Sequence, residues 1–282
     1  MKWHIVGATG YVGRHLLKRI PVGQEVLCYG RNNNNSMHKL DLANVQETDL
    51  GKVARGDYVV LLAAISSPDI CRDQYELAYH INVEGTQKLI KGCLQRGARV
   101  LFFSSDVVVG ETEFAVSESM PVHPVGDYGK MKRQIEELFE NDPKFKVFRL
   151  SYVFSREDKF MWYLQHCVKN GEKADVFGAL YRNVVYLEDV LEAVIALEKS
   201  FNCWENTVFH LSGPQLLCRA DLANIYKREI APNFQFHTCT PPEGFFNARP
   251  NCIETKSLYL SALLGRKPTS MAVAMKKEFI LK

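Results

Sequence analysis

Tyr128 and Lys132 stand four residues apart in Tyr128-Gly129-Lys130-Met131-Lys132, a spacing that puts both side chains on one face at the start of a helix. Proton transfer is the chemistry such a pair can do. A free tyrosine titrates near about pH 10, so it exchanges a proton near neutrality only where a neighbouring cation lowers that value, and Lys132 would supply the cation. Upstream, Phe102-Phe103-Ser104-Ser105-Asp106 ends an apolar run in hydroxyls, and a serine there can hydrogen-bond a reacting carbonyl or alcohol oxygen. The Tyr-x-x-x-Lys spacing alone occurs in many helices; its place behind such a strand end gives it meaning. A second set lies at the amino end, where Gly7-Ala8-Thr9-Gly10-Tyr11-Val12-Gly13 separates the strand-like Trp3-His4-Ile5-Val6 from a helix carrying Leu16 and Leu17. Gly7 would turn the chain sharply, Gly10 would let the backbone approach a pyrophosphate, and Gly13 would let the helix pack on the sheet, the geometry of a dinucleotide cradle. After the second strand the sequence reads Tyr29-Gly30-Arg31-Asn32, a cation where an NAD site would carry an acid against the ribose 2′-hydroxyl. Arg31, assisted by Arg14, therefore predicts NADP, with NAD as the second choice.

These residues require a scaffold. From Lys2 to about Leu150, short apolar runs alternate with helix-patterned segments, which predicts a doubly wound parallel α/β sheet with helices on both faces. The strand candidates are Trp3 to Val6, Glu25 to Tyr29, Tyr58 to Ala63, Val100 to Phe103 and Lys146 to Leu150; the helices are Tyr11 to Arg19, Asp69 to Arg96, whole or broken, and Asp127 to Asn141. After Ser151 the alternation weakens. Helices near Asp158 to Asn170, Glu188 to Ser200, Arg219 to Ile230, Ser257 and Met271 mix with strands near Val184-Val185 and at Val208 to Leu211. The expected division is a Rossmann-like domain over 1–150 and a mixed substrate lobe over 151–282, some of whose segments return to the first domain. The Asn32 to Asn35 run reads as a polar turn.

With 282 residues and 46% hydrophobic composition, the chain can build one α/β core plus a smaller lobe. Its net charge of +3 comes from interspersed signs, which argues against nucleic-acid or membrane-surface binding and suits a small anionic ligand. No apolar run reaches the roughly 18 residues of a membrane span, and strand residues begin at Lys2 with no room for a secretory leader, so a soluble, cytoplasmic protein is expected. None of the eight cysteines falls in a Cys-x-x-Cys spacing; scattered reduced thiols, mostly buried, and no metal site are expected.

The Gly-x-x-Gly-x-x-Gly turn with Ser105, Tyr128 and Lys132 resembles the extended branch of the short-chain dehydrogenase superfamily, the sugar-nucleotide epimerases, dehydratases and reductases. Within it, Ser104-Ser105-Asp106, Pro124 to Lys132, Arg149 to Phe154, Asn247-Ala248-Arg249-Pro250-Asn251 and Glu254-Thr255-Lys256 are most similar to nucleoside-diphosphate 4-keto-6-deoxysugar reductases of the dTDP-4-dehydrorhamnose reductase type. The resemblance implies catalytic Ser105, Tyr128 and Lys132, with Ser105 preferred to Ser104 because the family's hydroxyl stands five residues before a glycine, here Gly110. It implies cofactor contacts from Gly7, Thr9, Gly10, Tyr11, Val12, Gly13, Arg31, Asp41, Leu42, Ala63, Ala64, Asn82, Tyr128 and Lys132, with Asp41-Leu42 bordering the adenine and Asn82 supporting the active-site backbone. It implies substrate contacts from Asp106, Tyr152, Asn183, Asn247 and Arg249; the Arg249 fork suits a pyrophosphate, and a lobe-surface arginine is the equal alternative.

Two features depart from the reductases. Val107-Val108-Val109 replaces their usual aromatic pair, and the glycine turn has the general epimerase form. The expected activity is NADPH-dependent reduction of a sugar-nucleotide ketone. The alternatives are an epimerase that recycles bound NAD(P), or a non-catalytic NADP-binding regulatory subunit of the kind that serves methionine adenosyltransferase. Dehydration is disfavoured, because Asp106-Val107 stands where dehydratases carry Asp-Glu. Pairing of the Asp69–Arg96 and Asp127–Asn141 helices into a four-helix bundle would make a homodimer, again by resemblance.

Overall fold

A computed structural model describes residues 1–31 and 37–281; the polar turn at Asn32 to Asn35 lies outside the described residues. The first half of the chain runs β1 (Lys2–Val6), α1 (Tyr11–Leu17), β2 (Glu25–Gly30), β3 (His38–Lys39), β4 (Tyr58–Leu61), α2 (Pro68–Asp73), α3 (Tyr75–Tyr79), α4 (Thr86–Gln95), β5 (Arg99–Ser105), α5 (Gly126–Phe139) and β6 (Phe145–Leu150). It continues through β7 (Val153–Phe154), α6 (Lys159–Asn170), β8 (Ala174–Phe177), β9 (Tyr181–Asn183), β10 (Val185–Tyr186), α7 (Leu187–Ser200), β11 (Val208–Leu211), β12 (Leu216–Leu217), α8 (Arg219–Glu229), β13 (Phe236–Cys239), β14 (Cys252–Ile253), α9 (Leu260–Leu264) and α10 (Met271–Phe279).

Seven strands form one fully parallel sheet in the order β11-β6-β5-β4-β1-β2-β3. The order reverses at β1, so a crevice opens beyond the carboxyl ends of β1 and β4, where a doubly wound sheet holds its ligand. Alternate residues of each strand feed opposite cores. Val59 and Leu61 pack under α4 and α5 with Leu89, Ile90, Met131 and Ile135. Tyr58 and Val60 face the other way, into Leu16, Val190, Leu191, Val194 and Leu260. The fold is the doubly wound α/β sheet that the apolar runs predict. A third core joins Phe154, Met161, Leu164, Leu222, Tyr226 and Met275, tying α6, α8 and α10 together beside the sheet.

The segment Asp69 to Arg96 is broken. Gln74, at φ −128° and ψ 53°, separates α2 from α3, and a π-helical stretch over His80–Gly85 precedes α4. The strand expected at Val184-Val185 is also divided: Val184 N donates to the Arg182 carbonyl, a tight turn that ends β9 and restarts the chain as β10. After residue 150 the chain does not stay apart from the sheet. β11 takes the edge beside β6, and α7 covers the face that Tyr58, Phe148 and Phe209 present. The eight cysteines are free thiols, four buried, three partly buried and Cys203 exposed.

Candidate active site

The trough beyond β1 is built by backbone. The Val6 carbonyl accepts from Leu62 N at 2.9 Å and Ala63 N at 3.1 Å, which fastens the end of β4 against the glycine turn. Gly7 has φ +92°, a conformation that costs a side chain about 1–2 kcal/mol. A Cβ on Gly13 would lie 2.4 Å from the Gly7 carbonyl oxygen, so only glycine lets α1 approach this closely. The cavity that results measures about 750 Å³. Gly7, Thr9, Gly10, Tyr11, Val12 and Gly13 line it, with Arg31 exposed on one side, Asp41 and Leu42 beside it, Ala63 and Ala64 opposite, and Tyr128 and Lys132 at the far end.

Two residues read from sequence as contacts lie elsewhere. Asn82 is buried behind the wall, its Oδ1 accepting from Ile65 N and its Nδ2 donating to the Ile65 carbonyl, both at 2.9 Å; it pins the loop after β4. Arg14 is drawn away from the trough by Glu157, to which its Nη2 donates at 3.0 Å, and is not in the lining.

Across the trough, the first turns of α5 hold Tyr128 and Lys132. Lys132 is 4% exposed; its Nζ donates to the Phe103 carbonyl at 2.8 Å and lies 4.5 Å from the Phe102 ring centroid and 5.8 Å from that of Tyr128. Burial pulls its ammonium down to about 8, with the Glu136 carboxylate one turn on opposing the fall. Burial also dominates Tyr128, raising its phenol above the ordinary range, and Cys71 and Asp106 push the same way. The lowering expected from Lys132 is not seen: the shift of the phenol is upward, and burial leads it.

The adjacent serines divide between two spaces, as successive strand residues must. Ser104 lines the trough, and its buried Oγ has no hydrogen-bond partner among the described residues. Ser105 lines a second cleft of about 260 Å³. Its Oγ donates to Asp106 Oδ1 at 3.3 Å and accepts from Val107 N at 3.4 Å. Tyr128 borders both spaces.

Asp106, Tyr152 and Arg249 also line the second cleft. Burial raises the Asp106 carboxyl, opposed chiefly by Arg182, whose Nε lies 3.7 Å from Oδ2, while Ser151 Oγ donates to the same oxygen at 2.9 Å. The Tyr152 hydroxyl donates to Asp158 Oδ1 at 2.9 Å. Arg249 is committed to the Asp69 carboxylate and, through Nη1, to the Phe245 carbonyl at 3.3 Å. Asn183 and Asn247 are not in the lining. Asn183 is a buried strut, accepting from Thr255 N at 2.9 Å and donating to the Gly213 carbonyl at 3.3 Å, and Asn247 is exposed on a surface turn.

The cleft also contains Ser151, Arg182 and Arg219, which sequence reasoning missed. Ser151 follows β6 as Ser105 ends β5, so the rule that parallel strands present their carboxyl ends to ligand could have found it. Arg182 comes from the three-residue β9 and Arg219 from the first position of α8, neither with a comparable local signal for the cleft.

A glycine turn after β1, sharing the trough of a doubly wound sheet with Tyr128 and Lys132 while Ser105 lines the adjoining cleft, defines an extended short-chain dehydrogenase. More narrowly, the RmlD substrate binding domain matches residues 1–249, and the chain belongs to that family. The dTDP-4-dehydrorhamnose reductase of Aggregatibacter actinomycetemcomitans is 24% identical over 231 residues, 78% of this chain and 76% of that protein. N-acetyl-alpha-D-glucosaminyl-diphospho-ditrans,octacis-undecaprenol 4-epimerase of Escherichia coli O157:H7 is 25% identical over 204 residues, 67% of this chain but only 61% of the epimerase. Among solved structures, a dTDP-4-dehydrorhamnose reductase of Clostridium acetobutylicum superposes with a TM-score of 0.84 at 24% identity, covering 99% of this chain and 98% of the other. UDP-glucuronic acid 4-epimerase of Bacillus cereus, in complex with UDP-glucuronic acid and NAD, superposes at 0.79 with 19% identity, covering 99% and 98%.

Proposed function

We propose that this protein is an NADPH-dependent reductase of a nucleoside-diphosphate 4-keto-6-deoxysugar. The observation that carries the reading is Tyr128, a half-buried phenol on the wall shared by the trough and the cleft, with Lys132 one turn away. The trough fits a dinucleotide on two counts: Gly7 and Gly13 leave a cradle that a Cβ would fill, and Ser104 offers an orphaned buried hydroxyl. The glycine turn, Asp41, Leu42, Ala63 and Ala64 would hold the cofactor, and the exposed Arg31 suits a 2′-phosphate. When bound, the cofactor supplies a hydride to the ketone carbon. Tyr128 then gives its proton to the oxygen that becomes the hydroxyl, Ser105 Oγ orients that oxygen, and the Lys132 ammonium steadies the phenolate left behind.

Reduction is favoured over epimerisation by the match of residues 1–249 to the RmlD substrate binding domain and by the likeness to a dTDP-4-dehydrorhamnose reductase over 78% of the chain. The test is a spectrophotometric assay with dTDP-4-keto-6-deoxyglucose. Stoichiometric loss of NADPH with formation of the 4-hydroxy sugar is expected; stereoisomerisation of a sugar nucleotide with no net NADPH loss would overturn the reading. In the same proposal, residues 1–150 bind the dinucleotide and 151–282 the sugar, β11 and α7 returning to the first unit, and two copies pair through α4 and α5. Sedimentation at the mass of two chains, 64 kDa for a 32.1 kDa protein, checks the pairing.

A further inference from the structure

Three arginines line the cleft behind Tyr128: Arg182, Arg219 and Arg249. Two of them are already spent. Arg249 is paired with Asp69 and donates to the Phe245 carbonyl. Arg182 donates through Nη1 to the Tyr181 and Asn251 carbonyls at 2.7 and 3.1 Å and through Nη2 to the Pro250 carbonyl at 2.7 Å, and its Nε lies 3.7 Å from buried Asp106. Its charge is balanced and its donors hold β9 to the segment before β14.

Arg219 differs. It opens α8, and its Cζ lies 5.3 Å from the Phe160 ring centroid and 6.0 Å from that of Phe177. Among the described residues no hydrogen bond or ion pair engages its guanidinium. Aromatic rings hold a guanidinium by its faces and leave the N–H edges in the plane available to an acceptor. The rest of the cleft sets apolar walls, among them Val107, Val125, Leu180, Val184, Leu217 and Leu222, beside the hydroxyls of Ser105 and Tyr128.

We propose that Arg219, and not Arg249, is the cation that receives the diphosphate of the substrate, its fork donating to two phosphate oxygens. The assignment rests on the sugar-nucleotide reading of the cleft. It makes Arg219 a determinant of substrate class: a free sugar without the diphosphate would leave the guanidinium unpaired.

Calorimetric titration of the full chain with dTDP, UDP and GDP, each beside its phosphate-free nucleoside, tests the proposal in the wild type, Arg219→Gln, Arg219→Lys and Arg249→Gln. Arg219→Gln is expected to weaken the best nucleoside diphosphate about 10- to 100-fold, the scale of charged hydrogen bonds. Arg219→Lys should recover part of that loss, and nucleoside and NADPH binding should be unchanged. Loss of diphosphate affinity in Arg249→Gln with Arg219→Gln within twofold of wild type would overturn the assignment while leaving the sugar-nucleotide reading intact. A wild type that binds NADPH but none of the three diphosphates would overturn both. Arg219→Lys, which keeps the charge and the stem on the two rings, settles the question if Arg219→Gln fails to fold.

Discussion

Lys132 is asked to do two things with opposite pH dependence. In the unfolded chain its ammonium titrates near 10.5, and in the folded protein burial lowers this to about 8. The folded state therefore binds fewer protons than the unfolded state between those values, so stability rises with pH across that window, while the cost of burying the cation is fully present below it. Catalysis runs the other way. The cation supports the phenolate of Tyr128 only while it is charged, so turnover is expected to fall as pH rises through about 8. Thermal melts and initial rates across pH 7–11 check the two slopes separately, and Lys132→Met should remove the stability slope along with most of the turnover. Tyr128→Phe removes the proton donor and leaves the trough intact, so turnover should drop roughly 10²- to 10⁴-fold with NADPH affinity unchanged. This pair was legible in the sequence because its meaning is local, two residues a helical turn apart. The roles of Asn183 and Arg249 were not, since Asn183 meets Thr255 across 72 positions and Arg249 meets Asp69 across 180.

At the scale of elements, the glycine turn and the strands of the sheet were readable because buried parallel strands are continuous apolar runs, as in Tyr58-Val59-Val60-Leu61, every residue of which is buried. The lobe's strands are two to four residues long, too short to show a period of two, and they pair with distant partners: β12 with β9, β13 with β8, β14 with β9. Arg182 rides on β9, one of those short strands; Arg219 opens α8, a helix that was legible, but the cleft it faces is assembled from elements far apart in the chain. The α1 contact makes the sharper prediction. Gly13→Ala forces a methyl into the Gly7 carbonyl, and the turn must open to admit it. Such overpacking costs about 1–3 kcal/mol. Because the displaced backbone is the cradle itself, NADPH affinity should fall together with Tm in a thermal-shift titration. A loss of Tm with unchanged NADPH affinity would mean that the cradle does not touch the dinucleotide.

For the whole molecule, the decisive feature is that the sheet is finished by the second half of the chain. β11 pairs with β6 over Val147 to Leu150, and Phe209 packs against Phe148 with ring centroids 5.7 Å apart. α7 contributes Leu187, Val190, Leu191, Val194 and Leu197 to the core on that face, all buried. A chain ending at Leu150 would keep every residue of the glycine turn and the Ser-Tyr-Lys set, yet it would leave β6 as an open edge and strip the cover from Tyr58, Leu101 and Phe148. Each large apolar side chain so exposed forfeits roughly 1.5–3 kcal/mol of burial, and several together are comparable to the roughly 5–15 kcal/mol by which a folded protein is stable. The truncated chain is therefore expected to aggregate or to lose near-ultraviolet circular dichroism, and to bind no NADPH. Extending it to residue 213 returns β11 and α7 but still lacks Leu260 and Leu263 on that face and leaves α6 without α8 and α10, so only the full chain is expected to give a cooperative melt. A soluble, NADPH-binding chain of 150 residues would show instead that the first six strands fold without the seventh.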